Sequence, residues 1–166
     1  MFDFKEGMLI RKLIDKDIPD ILALCKKNRK FYKYCPPFVS EKSIKNDMET
    51  LPPGKKSEDK YYIGFWKGNE LLAIMDLVLK YPNEDTAFIG FFMTNTDIQR
   101  KGIGTKIIAM LCNTLKEKEY RYIRLGYMKG NKQSKNFWIK NDFLPTGDIE
   151  KTENYEIIIM QKNLLD

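Results

Sequence analysis

The sequence contains no histidine. A metal centre therefore lacks its commonest ligand, and a proton transfer near neutral pH lacks the one side chain whose unperturbed pKa lies there. Cysteine is scarce: Cys25, Cys35 and Cys112 form an odd, widely spaced set with no C-x-x-C pair. That spacing argues against a disulfide framework and a zinc site, so free thiols and no bound metal are expected. No apolar run approaches the roughly 20 residues that a membrane span requires. The opening residues, Met1-Phe2-Asp3-Phe4-Lys5-Glu6, lack the basic-then-apolar order of an export signal. A cytoplasmic protein with no membrane partner is the expectation. No internal repeat or low-complexity stretch divides the chain, which reads as a single domain over residues 1–166.

A length of 166 residues with 43% hydrophobic side chains is enough to bury a core. The formal charge is +6, from 29 basic and 23 acidic residues, a modest excess that does not indicate nucleic-acid binding. The densest basic run, Lys26-Lys27-Asn28-Arg29-Lys30, reads as the solvated C-terminal end of a helix, where cations suit the helix dipole, ahead of a nucleic-acid patch.

Hydrophobic periodicity divides the chain into elements. Met8 to Leu13 reads as a strand and Asp15 to Asn28 as a helix burying Ile18, Ile21, Leu22, Leu24 and Cys25, with Pro19 in its first turn. An aromatic loop, Phe31 to Phe38, leads to Ser40, which can cap a helix carrying Ile44, Met48 and Leu51; Leu51-Pro52-Pro53-Gly54 ends it. The period then changes to that of a three-stranded meander: Lys60 to Lys67, Leu71 to Lys80 and Thr86 to Met93. A helix over Thr105 to Lys118 follows, then a strand from Tyr122 to about Met128 that should run parallel to its predecessor. Ser134 to Lys140 reads as a short helix and Tyr155 to Lys162 as a last strand.

Gln99-Arg100-Lys101-Gly102-Ile103-Gly104 lies between a predicted strand and a predicted helix. Two glycines let backbone N–H groups approach an anion, and the helix directs its positive end at the same point. A diphosphate fits such a loop. The dinucleotide fingerprint needs a third glycine where Ile107 stands, and the Walker loop needs a different order from Gly104-Thr105-Lys106, so both are excluded. Gln-x-x-Gly-x-Gly after a strand instead resembles the acetyl-CoA diphosphate loop of the GNAT superfamily of N-acetyltransferases. Downstream, Asn131 to Phe143 resembles the superfamily's second motif, Asn-x-x-Ala-x-x-Phe-Tyr-x-x-x-Gly-Phe. Asn131, Phe137 and Phe143 match it directly, and Ser134 replaces a small residue. Trp138 stands in place of tyrosine and Asp142 in place of glycine.

The resemblance implies a GNAT fold of the α/β (α+β) class: a mixed, mostly antiparallel central sheet flanked by helices, in the order β-α-α-β-β-β-α-β-α-β. It implies acetyl-CoA as co-substrate and transfer of acetyl to a primary amine, small-molecule or peptide, by direct attack in a ternary complex. A monomer or homodimer is expected. The backbone of Phe92, Met93 and Thr94 would pair with the pantetheine arm, and an N–H there would polarise the acetyl carbonyl. The N–H groups of Gln99, Arg100, Lys101, Gly102, Ile103, Gly104 and Thr105 would hold the diphosphate. Asn131, Ser134 and Trp138 would contact the coenzyme. Arg100, Lys101 and Lys106 add charge there or are ordinary exposed cations.

The family's tyrosine often protonates the departing thiolate, a role that an indole N–H does not fill. Tyr127 is the substitute candidate, although a strand tyrosine also reads as packing. A thiol of pKa about 8.5 makes a tolerable leaving group unaided. The acceptor amine must be neutral to attack. For a lysine-like amine of pKa about 10.4 that costs roughly 4.6 kcal/mol at pH 7; for an α-amine of pKa near 7.8 it costs only about 1.1 kcal/mol. Without histidine the base is a carboxylate, a tyrosine or water relayed to one of these. Asp76, which interrupts the apolar run Leu71 to Leu79, is the first candidate, with a structural hydrogen bond as its other reading. Tyr32 and Tyr34, on the aromatic loop, are candidates for acceptor contact. The competing reading for the whole chain is a noncatalytic acyl-CoA-binding or sensor module.

Overall fold

The computed structural model describes residues 7–165; Met1 to Glu6, on which the export-signal expectation rests, lie outside the described residues. Seven strands form one sheet in the order β1-β2-β3-β4-β5-β7-β6. They are β1 (Leu9–Lys12), β2 (Lys60–Lys67), β3 (Glu70–Val78), β4 (Thr86–Thr94), β5 (Tyr122–Met128), β6 (Leu144–Lys151) and β7 (Glu156–Asn163). Every pairing is antiparallel except β4 with β5, which is parallel, as the strand–helix–strand passage requires. The helices are α1 (Ile18–Lys27), α2 (Arg29–Tyr34), α3 (Glu41–Glu49), α4 (Ile103–Glu117) and α5 (Lys132–Lys140). This is the mixed, mostly antiparallel sheet flanked by helices that was expected from the sequence, with two elements more. Among the described residues no helix is long and apolar enough to cross a membrane.

Alternation along the strands gives the sheet two apolar faces. Ile63, Phe65, Met75 and Leu77 meet Ile107, Leu111 and Leu115 of α4 and Trp138 of α5 on one face. On the other, Tyr62, Trp66, Ile74 and Met93 meet Ile21, Leu24 and Cys25 of α1 and Ile44 of α3. Ser40 caps α3 as its position suggests, accepting from the Ser43 N–H at 3.1 Å.

Two elements differ from expectation. The aromatic segment is not all loop, because Arg29 to Tyr34 form α2, on which Phe31 and Tyr32 pack against the α1/α3 face. Packing, rather than the propensity of six residues, creates that helix. The chain between α5 and the last strand is itself a strand, β6, where the sequence reading assigned no element. It is a largely exposed edge with Pro145 and Gly147 inside it, so it shows neither alternation nor a turn-free run. Its register shifts between Pro145 and Ile149, and Gly147 takes φ 95° there, a conformation open to glycine.

Candidate active site

The site begins where β4 leaves β5. Their ladder runs from Thr86↔Tyr122 to Ile89↔Leu125. On its other side β4 carries a bulge: Asp76 pairs with Phe91 and Leu77 with Ile89, so Gly90 is the extra residue. Beyond it the two strands part. Among the described residues, Phe91 to Thr94 pair with β3 alone, and β5 from Gly126 onward pairs with β7 alone.

The glycine loop sits at the open end of this fork. Arg100 (φ 65°) and Gly102 (φ 81°) are left-handed, with Lys101 between them outside that region. Such alternation turns successive N–H groups toward one side. α4 starts immediately after, and the first of its N–H groups to find a helical acceptor is that of Lys106, on Gly102 O at 3.0 Å. The N–H groups of Ile103, Gly104 and Thr105 project from the helix end, as in any α-helix. A Cβ at Gly104 would lie 3.1 Å from Phe137, so its absence lets α5 approach. Backbone donors, a helix N-terminus and no intruding side chain suit a diphosphate, so the loop fits the coenzyme that the sequence implied.

α5 forms a second wall. Asn131 caps it, accepting from the Ser134 N–H at 3.2 Å. Trp138 is buried, its ring 5.9 Å from Phe92, 4.9 Å from Phe137 and 5.1 Å from Phe143. The indole thus helps bind α5 to β4. Asp142, in place of the motif's glycine, takes φ 68°, a left-handed conformation that aspartate tolerates better than most residues.

These parts enclose a cavity of about 620 Å³. Of the residues predicted for the coenzyme, Phe92, Met93, Thr94, Gln99, Arg100, Gly102, Gly104, Thr105, Asn131, Ser134 and Trp138 line it. Lys101 is exposed outside the lining, and Ile103 packs against the α4 core.

The acceptor and acid–base candidates lie elsewhere. Tyr127 is buried in the core opposite Ile158. Tyr32 packs edge-on against Phe31 and Phe38, and burial, with Cys25 beside it, pushes its phenol far above the usual range. Tyr34 rests against Gly130, its ring 3.7 Å from where a Cβ would stand. Asp76 accepts from Lys60 Nζ at 3.0 Å, while its Oδ1 is buried without a partner. Burial raises its pKa above the carboxylate norm, and Lys60 opposes that rise. Lys60 is itself buried and also donates to Asp47 O and Thr50 O, both at 2.7 Å. Asp76 therefore has the structural hydrogen bond that was its other reading.

The opposite correction applies to the basic run. Lys27, Asn28, Arg29 and Lys30 line the cavity rather than simply ending a helix in solvent. Asn28 places them: it donates to Thr94 O at 3.1 Å and accepts from Gln99 Nε2 at 2.9 Å, across 71 residues of sequence. No local pattern announces that contact. Among the described residues no cluster of three or more His, Cys, Asp or Glu side chains is placed to hold a metal ion. None of the three cysteines lines the cavity, and burial pushes the Cys25 thiol up to about 11 and the Cys112 thiol upward.

Comparison with known proteins bears on the family and the fold. The model of the acetyltransferase (GNAT) family matches residues 24–143, well over half of the chain. No curated protein matches the sequence. Among solved structures, an acetyltransferase from Thermus thermophilus is 16% identical with a TM-score of 0.75, covering 95% of this chain and 97% of its own. Ard1 from Thermoplasma volcanium is 15% identical with a TM-score of 0.70, covering 97% and 100%. The ribosomal-protein-S18-alanine N-acetyltransferase from Escherichia coli is 15% identical with a TM-score of 0.69, covering 95% and 94%. At such identities the likeness is one of fold.

Proposed function

The chain belongs to the acetyltransferase (GNAT) family, and from that premise we propose that it transfers acetyl from acetyl-CoA to a primary amine by direct attack within a ternary complex. The observation that carries this reading is the edge of β4 from Gly90 to Thr94, left unpaired on the β5 side and leading into the glycine loop. An extended pantetheine arm can add to such an edge as a strand does. The N–H groups of the Gln99–Thr105 segment receive the diphosphate, and Asn131, Ser134 and Trp138 flank the arm. Bound there, acetyl-CoA supplies a thioester carbonyl, which a β4 N–H near Phe92 or Met93 polarises.

Proton removal is assigned to water rather than to direct contact with Asp76 or Tyr127, since neither lines the cavity. The buried thiols, with raised pKa values, do not favour a covalent acyl-cysteine. Initial-rate kinetics test the proposal through release of free CoA while acetyl-CoA and amine are varied together. Intersecting double-reciprocal lines are expected. Parallel lines, or an acetylated protein trapped before amine is added, would overturn direct attack. Binding of acetyl-CoA without CoA release across a broad amine panel would restore the noncatalytic reading.

A further inference from the structure

Helix α2 lies across the mouth of the fork between β4 and β5. At its start, Asn28 is tied to Thr94 at the end of β4. In its middle, Phe31 meets Phe91 with ring centroids 5.6 Å apart. At its end, Tyr34 rests on Gly130, just past β5. The helix therefore bridges the two strand ends, on the face of the sheet that carries α1 and α3. α4 and α5, which bracket the diphosphate loop, pack on the opposite face. Anything entering over the Phe31–Tyr34 part of α2 approaches the fork from the face opposite α4 and α5, while Asn28 at the helix start also reaches Gln99 of that loop.

Arg29 and Lys30 are exposed side chains of this bridge, and both line the cavity. Lys27 beside them is paired with Asp97 at 3.1 Å. Among the described residues, no ion pair engages Arg29 or Lys30, and no carboxylate, tyrosine or cysteine lines the cavity. The acceptor side thus offers positive charge and no side-chain base. That environment repels an ammonium and favours the neutral amine, which suits an amine that releases its proton near neutrality.

We propose that the acceptor is an α-amine with a carboxylate close to it, and that Arg29 and Lys30 receive that carboxylate. A free amino acid and a peptide with an acidic N-terminal segment share this chemistry. The inference rests on the acetyl-transfer reading above. In the step itself, the amine nitrogen forms the new bond to the acetyl carbon and the carbon–sulfur bond breaks. The thiolate leaves with the electron pair, and the proton shed by nitrogen passes to water and then to sulfur.

The test compares kcat/KM for three peptide amides, Ala-Asp-Gly, Ala-Asn-Gly and Ala-Lys-Gly, with free alanine, cadaverine and Nα-acetyl-lysine amide. The native protein should prefer Ala-Asp-Gly over Ala-Asn-Gly by at least about tenfold, the worth of one hydrogen bond to a charged group. Arg29→Glu/Lys30→Glu should abolish or invert that preference, and Arg29→Gln/Lys30→Gln should reduce it part way. Free alanine exceeding the peptides would place the carboxylate on an amino acid, and the reverse would place it on a peptide; either supports the proposal. Acetyl-CoA affinity, read separately by calorimetry, should stay within about twofold in both variants, since the loop carries the diphosphate. A Kd for acetyl-CoA that rises with an unchanged Asp-over-Asn ratio would assign the two cations to the donor and overturn the proposal. A preference for cadaverine or the lysine amide would also overturn it. Absence of CoA release with every probe would instead strike the acetyl-transfer reading, with the calorimetric result still reporting on the donor site.

Discussion

The two walls of the cavity are built by different means. On the proposed donor side, the fork edge of β4, the loop from Gln99 to Gly104 and the start of α4 present backbone groups, and side chains serve mainly to hold them in place. On the proposed acceptor side, α2 presents the side chains of Arg29 and Lys30, held there by Asn28, by the Phe31–Phe91 ring contact and by Tyr34 against Gly130. A backbone site recognises a shape common to every coenzyme molecule, whereas a side-chain wall changes with a substitution. The donor wall should therefore be sensitive to backbone conformation and the acceptor wall to charge.

The largest effect is expected beneath the acceptor wall, where Lys60 joins the end of α3 to Asp76. Lys60→Met leaves the Asp76 carboxylate buried without a partner, and loss of one member of such a pair costs about 3–5 kcal/mol. Urea unfolding measures it; a loss below about 1 kcal/mol would show an ordinary surface pair instead. Next comes Gly102→Val on the donor wall. A β-branched residue at φ 81° carries strain of about 1–3 kcal/mol, so acetyl-CoA affinity should fall while far-UV circular dichroism is retained. Unchanged affinity would remove the loop from the donor site and erase the contrast between the walls.

Trp138→Phe should be milder, since one aromatic contact is worth about 0.5–1.5 kcal/mol. Weaker coenzyme binding with turnover retained is expected. Lost turnover with intact binding would give the indole a chemical role. The smallest effect concerns pH. Because burial raises the folded pKa of Asp76, its contribution to stability is complete below the unfolded value of 3.8 and is lost as pH rises through the folded one. Asp76→Asn should remove that decline from unfolding curves recorded between pH 4 and 8, and identical pH profiles for both proteins would refute the assignment.

Legibility followed the same division. Gln99 to Gly104 and Asn131 to Phe143 were readable because glycine positions and a capping asparagine state what the local backbone must do. β6 was not readable, because an exposed edge strand with Pro145 and Gly147 needs only a partner, β7, and no apolar alternation of its own. Tyr32 read as a loop residue available to a substrate, yet it is a packing residue of α2. Asp76 read equally as base or as structural partner, and the deciding fact was Lys60, sixteen residues earlier in the chain.

The sequence alone specified the element order apart from α2 and β6, the glycine-loop pattern between β4 and α4, and the short aromatic helix α5 after β5, since each depends on residues within about one turn or one strand of each other. Tertiary structure decided where β4 leaves β5, that α2 lies across the gap, and that Arg29 and Lys30 face the cavity. Those outcomes depend on contacts such as Asn28 with Gln99, 71 residues apart. Contacts at such separation form only when the packed sheet brings distant segments together, and no local periodicity encodes them.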